Sequence, residues 1–262
     1  MESPKVSVVI PVYNTERFLD ESISSVLNQT LDDFELIIIN DCSTDDSLNI
    51  IKKYMKKDKR IKFIGNKKNL GVAKAMNEGL KAAKGKYIAI LGSDDIFLPN
   101  KLLIQYNYLE KNPHIFLVGS SAIYINEKGK EIRRFRKYDD YKMLAWRLTK
   151  SCSFIHSSIL VRNTHEFWYN EEFKSAVDYN YYLDLLKARK NLTNIPPFLV
   201  KYRVHSSSIS GSKQKEQEFF RDKAREMHND LRKKTKLSDK LIFSVKLLLF
   251  HLKTFNEKRI KN

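Results

Sequence analysis

The sequence predicts an α/β fold in which a mostly parallel sheet is flanked by helices and followed by a helical extension. Three observations carry this. Apolar runs of strand length alternate with segments of helical period over the first third of the chain. Two of these runs end in aspartates beside small or capping residues, NDCSTDDS from Asn40 and GSDD from Gly92. The last 50 residues hold 15 Lys or Arg against 7 Asp or Glu, with apolar residues at helical spacing between them.

The first strand lies in KVSVVIPVYN, where Val6, Val8, Val9 and Ile10 form a nearly continuous apolar run closed by Pro11 and Asn14. A run without alternation belongs to a strand covered on both faces. From Glu16 to Gln29, Phe18, Leu19, Ile23, Val26 and Leu27 recur at helical spacing, and FELIII from Phe34 completes a βαβ unit. Asp41 stands at the tip of that second strand, and Asp45, Asp46 and Ser47 offer acids and a cap to a helix through Leu48, Ile51 and Met55. Ile61 to Ile64 form a third strand, NLGVAKAMNEGLKAAKG supplies the next helix, and Tyr87 to Leu91 return to the sheet. Gly92 and Ser93 break that run, Asp94 and Asp95 sit at its tip, and Pro99 fits the first turn of a following helix. Ligands bind at the carboxyl edge of open α/β sheets. Mg²⁺ or Mn²⁺ is commonly held there by one or two carboxylates and substrate phosphates, although an Asp-Asp pair also serves simply to cap a helix.

In this order the motifs resemble those of the family 2 inverting nucleotide-sugar glycosyltransferases, which have the GT-A fold, a Rossmann-like, mostly parallel sheet with flanking helices. VSVVIPVYN resembles the family's opening strand, NDCSTDDS its nucleotide-recognition turn, NLGVAKAMNEGL its donor-site loop and helix, and LGSDD its metal-binding segment. IHSSILVR, AVDYNYYLDLL and KYRVHSSSIS extend the match past the midpoint, so that it covers residues 5–211. The resemblance implies that Pro11, Val12 and Tyr13 border the nucleoside, that Asp41 accepts the N3–H of uracil, and that Asn69 lies in the donor-site loop. It implies further that Asp94 lies near the ribose or sugar, and that Asp95 and His205 hold a divalent cation, Mn²⁺ or Mg²⁺. Asp178, at the start of an apolar helical face, matches the base that deprotonates the acceptor. Arg203 is then either a phosphate contact or a solvated neighbour of its strand. The chain departs from the family at Gly92 and Val177, where acids are frequent, and at Met76, where a basic residue is frequent; Lys74 stands two positions earlier.

The resemblance thus implies transfer of a sugar from a UDP-sugar to a saccharide or lipid-linked saccharide in cell-surface glycan synthesis. Trp146, Trp168 and Tyr169 are candidate sugar-stacking surfaces, with burial in the core the commoner fate of such rings. Residues 1–212 read as the catalytic domain and 213–262 as a basic amphipathic extension of two helices, the first through Phe219, Phe220, Ala224, Met227 and Leu231, the second from Lys240. The second is too short and too interrupted by Lys246 and Lys253 to span a bilayer. It is expected to lie on an anionic membrane surface or to pack on the protein. Cys42 and Cys152 belong to no metal-spaced cluster and read as free thiols, and the opening MESPKVSVVIPV carries no secretory signal pattern. The expected location is the cytoplasmic side of the membrane. A net charge of +17 and a pI near 9.6 also suit nucleic acid, but no nucleic-acid motif accompanies them. A noncatalytic adaptor on a degenerate transferase scaffold is the remaining reading, argued against by Asp41, Asp95, Asp178 and His205.

Overall fold

The computed structural model describes residues 3–137, 141–206, 208 and 214–234. The N-terminal half alternates as expected: β1 (Val6–Val12), α1 (Glu16–Leu27), β2 (Phe34–Asn40), α2 (Ser47–Met55), β3 (Ile61–Gly65), α3 (Val72–Ala82) and β4 (Tyr87–Ile90). The order changes afterwards: β5 (Ile96–Phe97), α4 (Lys101–Lys111), a long β6 (Ile115–Ile125), β7 (Glu131–Phe135), α5 (Tyr141–Leu148), a single 3₁₀ turn at His156–Ser158, β8 (Leu160–Arg162), α6 (Val177–Lys187) and β9 (Asn191–Arg203). Two further helices, α7 (Gln214–Met227) and α8 (Asn229–Lys234), follow.

These strands form one sheet in the order β3-β2-β1-β4-β8-β6-β9-β5, with β7 added on β6. β1 pairs in parallel with both β2 and β4, and β2 with β3. All seven residues of β2 are buried, which is why its sequence shows no alternation. α3 packs so closely on this layer that a Cβ at Gly79 would come within 2.4 Å of Val9 Cγ1 and 2.8 Å of Ile39 Cδ1. The parallel strands therefore end along one edge, where the Asp41 N–H donates to the Val12 carbonyl at 2.8 Å and the Leu91 N–H to Val9 at 3.0 Å.

The second half brings three distant segments back to that edge. β8 joins β4 antiparallel, β6 joins β8 antiparallel, and β9 runs parallel to β6. β9 carries Pro196 and Pro197, which donate no N–H, and the register slips there: Ser120 faces Ile195 while Ser121 faces Phe198. A second shift follows between Ser121 and Ala122, and from Ala122 opposite Val200 the strands pair regularly to Ile125 and Arg203. β5, which the sequence reading took as the approach to a helix, adds two residues to the free side of β9.

The stripe expected from Phe219 to Leu231 divides at His228 into α7 and α8. Phe220 and Ala224 are buried in the same core as Phe173 and Tyr179, whereas Phe219 and Met227 are exposed. The second expected tail helix, from Lys240, lies outside the described residues. Among the described residues no helix is long and apolar enough to cross a membrane.

α7 is tied to α6 through His228, whose Nδ1 is 2.8 Å from the Ala224 carbonyl and whose Nε2 is 2.8 Å from Asp184 Oδ1. Both partners are acceptors, so the ring satisfies both only as an imidazolium. Burial works against that charge, but the Asp184 carboxylate and the Ala224 carbonyl overcome it and hold His228 above the ordinary histidine value. A raised folded-state pKa gives stability that is complete below the unfolded pKa of about 6.5 and is lost as pH rises through the folded value. Asp184→Asn is expected to cost about 1 kcal/mol at about pH 6, a figure discounted because Asp184 is partly exposed, and little above about pH 9. Hydrogen exchange of the α7 amides at the two pH values measures this, and equal loss at both would remove the ion pair as its cause.

Candidate active site

The two aspartates at the tip of β4 have opposite surroundings. Asp95 is 2% exposed, and both its oxygens are used inward: Oδ1 accepts the Arg203 N–H at 2.8 Å, and Oδ2 accepts the Ser157 hydroxyl. Burial and the adjacent Asp94 carboxylate push its pKa well above the carboxylate range, against the pull of those two donors. Ser157 in turn accepts the Gly92 N–H at 2.9 Å. Its 3₁₀ turn is anchored from below by α4: Gln105 donates to the Ser158 carbonyl at 2.7 Å, and Lys101 to the Ile159 carbonyl at 3.1 Å. Asp95 therefore locks the turn, with two of a carboxylate's about four acceptor positions taken. Asp94 faces the cleft instead, with Oδ2 at 2.9 Å from His205 Nε2. The family departure at Gly92 has a steric counterpart, because a Cβ there would lie 2.8 Å from Asp94 Oδ1 and 3.1 Å from Asp95 Oδ2.

Arg203 is neither a phosphate contact nor solvated. Its side chain is 1% exposed. Nε donates to the Asp94 carbonyl at 2.9 Å, one terminal nitrogen to the Asn126 and Glu127 carbonyls at 3.3 and 2.9 Å, and the other pairs with Glu21. The planar fork joins the Asp94 turn, the β6–β7 turn and α1 in one set of bonds.

Along the same edge, Asp41 organises the loop before α3. Its Oδ1 accepts Asn66 Nδ2 and the Leu70 N–H, and Oδ2 the Gly71 N–H, all at 2.9 Å. A carboxylate has about four acceptor positions, so these three donors leave one unused on a residue that is 3% exposed. Asn69 sits in this loop and accepts the Gly71 N–H at 3.0 Å. Tyr13 is 48% exposed at the end of β1 and presents a ring to the edge, Pro11 is half-buried, and the Val12 side chain lies in the core and presents none. Met76 is likewise in the core, and Lys74 lies 4.0 Å from Glu171.

Asp178 occupies the first turn of α6, entered through Ala176 at φ 53°. Val177, its neighbour, is buried in the core. The carboxylate lies 3.8 Å from Cys152 Sγ, whose thiol is pushed up by burial and then by Asp178. His156, next to Ser157, has Nδ1 at 2.6 Å from the Tyr182 hydroxyl and Nε2 at 3.0 Å from the Tyr169 hydroxyl. Burial holds this imidazole below its usual value, with Asp178 pulling the other way. A neutral ring suits two hydroxyls, one accepting and one donating. Tyr169 is buried, stacked 4.7 Å from Tyr181, and offers no face to a sugar; Trp168 is 36% exposed. The Ser157 and Arg203 anchors and this His–Tyr network escape sequence reading because they join residues 13 to 182 apart; the IHSSILVR and KYRVHSSSIS runs were hints of them.

Asp41 and Asp94 thus stand on the carboxyl edge of a mixed sheet flanked by helices, and the comparison with known families shows the class of protein that carries it. Residues 7–167 match the profile described as Glycosyl transferase family 2, and the chain belongs to that family. An uncharacterised glycosyltransferase of Haemophilus influenzae is 36% identical over 97% of this chain and 83% of its own length. The Escherichia coli enzyme WfgD, a UDP-Glc:α-D-GlcNAc-diphosphoundecaprenol β-1,3-glucosyltransferase, is 34% identical over 82% of this chain and 83% of its own. S. aureus TarS in complex with UDP superposes with a TM-score of 0.64 at 23% identity, over 77% of this chain and 61% of the TarS chain. The mannosyltransferase PcManGT of Pyrobaculum calidifontis, in complex with GDP-Man and Mn²⁺, superposes at 0.62 with 14% identity, over 95% and 81%. These structural likenesses establish the shared fold.

Arg203→Lys is expected to lower stability by about 2 kcal/mol or more, because one ammonium cannot replace a fork that holds three carbonyls and a carboxylate. A shifted denaturation midpoint at unchanged slope is the expected readout; an unshifted midpoint would mean that the fork contributes nothing to the fold.

Proposed function

We propose that the protein transfers a sugar, with inversion, from a nucleotide-sugar of the UDP class to a saccharide or lipid-linked saccharide during cell-surface glycan synthesis. The observation that carries this reading is the Asp94–His205 pair, 2.9 Å apart on the edge that also holds Asp41. Two ligands on adjacent corners of an octahedron with bonds of about 2.1 Å lie about 3 Å apart, so the pair fits Mn²⁺ or Mg²⁺. Asp94 and His205, with Asp95 fixing the turn behind them, are therefore the assigned holders. Bound there, the cation supplies charge neutralisation on the departing nucleoside diphosphate. The Mn²⁺ complex of PcManGT supports this cofactor, and the named reaction of WfgD supports a UDP donor and a lipid-linked acceptor.

The chain's own residues divide the remaining work. Asp41 uses its fourth acceptor position on the base, Pro11, Tyr13 and the backbone at Val12 border the nucleoside, and Asn69 shapes the loop beneath it. Asp178 removes the proton of the acceptor hydroxyl as its oxygen bonds to the anomeric carbon, opposite the breaking bond to the diphosphate. The catalytic unit is assigned to residues 1–212, with α7 packed on it through Phe220 and Ala224. A lipid-linked acceptor places the enzyme peripherally on the cytoplasmic face of the membrane.

Calorimetry of UDP with and without Mn²⁺ tests the donor site. Asp94→Asn is expected to abolish the metal dependence, and retention of that dependence in the folded variant would move the metal elsewhere. Asp178→Asn is expected to keep metal-coupled UDP binding and lose at least about 10²-fold in transfer. Near-normal turnover, or an α-linked product from an α-linked donor, would overturn the assigned base or the inverting course.

A further inference from the structure

The ribbon formed by β7 and its flanks is unlike the rest of the surface. From Lys128 to Lys137 the chain reads KGKEIRRFRK, six basic residues against one acid. Every residue of β7 is exposed, including Ile132 at 55% and Phe135 at 38%. Among the described residues β7 pairs with β6 alone, and no other described strand lies on its second edge. From Arg133 the strand alternates, with Arg133 and Phe135 on one face and Arg134 on the other, while Ile132 is the extra residue where the register with β6 slips between Tyr124 and Ile125. Arg134 pairs with Glu131 at 2.8 Å. The cations otherwise lie on rings: Arg133 is 4.3 Å from the Tyr124 centroid, Arg134 and Arg136 are each 5.6 Å from Phe198, and Lys137 is 4.7 Å from Phe135.

Charge on a free edge commonly blocks pairing with another chain, and that accounts for the arginines taken alone. It does not account for two large apolar side chains held out among them. Guanidinium groups spread over rings, with an exposed isoleucine and an exposed phenylalanine on the same short strand, match a headgroup layer, where cations meet phosphates and apolar tips enter the acyl boundary. The position matches as well. The turn between β6 and β7 is rooted on Arg203 through the Asn126 and Glu127 carbonyls, and the same guanidinium holds the Asp94 carbonyl.

We propose that β7 is a bilayer-docking ribbon, which lays the Asp94 edge of the cleft against an anionic phospholipid surface. This rests on the reading that the acceptor is lipid-linked, and it places docking on the catalytic body, separately from the 238–262 tail. The ribbon then holds the cleft at headgroup depth, where the phosphates of such an acceptor lie.

The test uses the full chain and vesicles of phosphatidylcholine with about one-third phosphatidylglycerol, read by co-sedimentation. Arg133→Gln/Arg134→Gln/Arg136→Gln and, separately, Ile132→Ser/Phe135→Ser are each expected to lower partitioning at least about tenfold while leaving the melting temperature and metal-coupled UDP binding unchanged. A fluorophore on Ile132→Cys, with Cys42 and Cys152 replaced by Ser, is expected to shift to the blue on these vesicles and not on pure phosphatidylcholine. Partitioning unchanged in both variants overturns the proposal, as does a label that stays aqueous while a chain lacking 238–262 loses all binding. Absence of vesicle binding by the full chain, or retention on generic DNA in its place, overturns it too. Transfer to a water-soluble acceptor alone would defeat the lipid-linked reading, and the product assay reports that independently of sedimentation.

Discussion

The site depends on one buried carboxylate. Asp95 draws the β4 turn onto Ser157, 62 residues away, and onto the backbone of Arg203, 108 residues away. Taking a carboxylate out of water costs several kcal/mol unless its lone pairs are met, and here a hydroxyl and an N–H meet them. Because each donor is itself fixed, Ser157 by Gly92 and Arg203 by its fork, the turn has one conformation. Asp94 is thereby presented outward, and the next residue in the chain, chemically identical, becomes scaffold.

Arg203 extends the constraint. Its backbone serves Asp95 while its side chain serves the Asp94 carbonyl, the β6–β7 turn and α1, so the last residue of β9 coordinates three parts of the cleft wall. The parallel half of the sheet could form from local βαβ units alone, but the site could not. It needs β9 to return beside β6 in a register that survives the slip at Pro196 and Pro197, so that Arg203 reaches Asp95. The cleft is therefore the most non-local feature of the fold.

That difference decides what the sequence shows. β1 to β4 and the three helices between them are legible because both-face burial in Val6–Ile10 and Phe34–Ile39 and helical spacing in α1 and α3 are local signals. Asp41 and Asp94 are legible as edge residues because they follow the strand ends directly. Which of two adjacent aspartates looks outward is not a local property, and it turns on Ser157 and Arg203. Val12, Met76 and Tyr169 show the same limit: each belongs to a motif at the edge, yet its side chain goes to the core because a helix or strand from elsewhere covers it. The stripe from Phe219 reads as one helix because its apolar spacing passes through His228, where the imidazolium bonded to Asp184 and Ala224 marks the break.

The surroundings of Asp178 follow from the same tie. His156 and Ser157 are consecutive, so the bond that fixes Asp95 also fixes the imidazole between Tyr169 and Tyr182. Burial holds that imidazole below its usual value, with Asp178 pulling the other way, and pushes the Cys152 thiol above its usual value beside the α6 carboxylate. One 3₁₀ turn thus fixes two places at once, Asp95 behind Asp94 and the imidazole between Tyr169 and Tyr182.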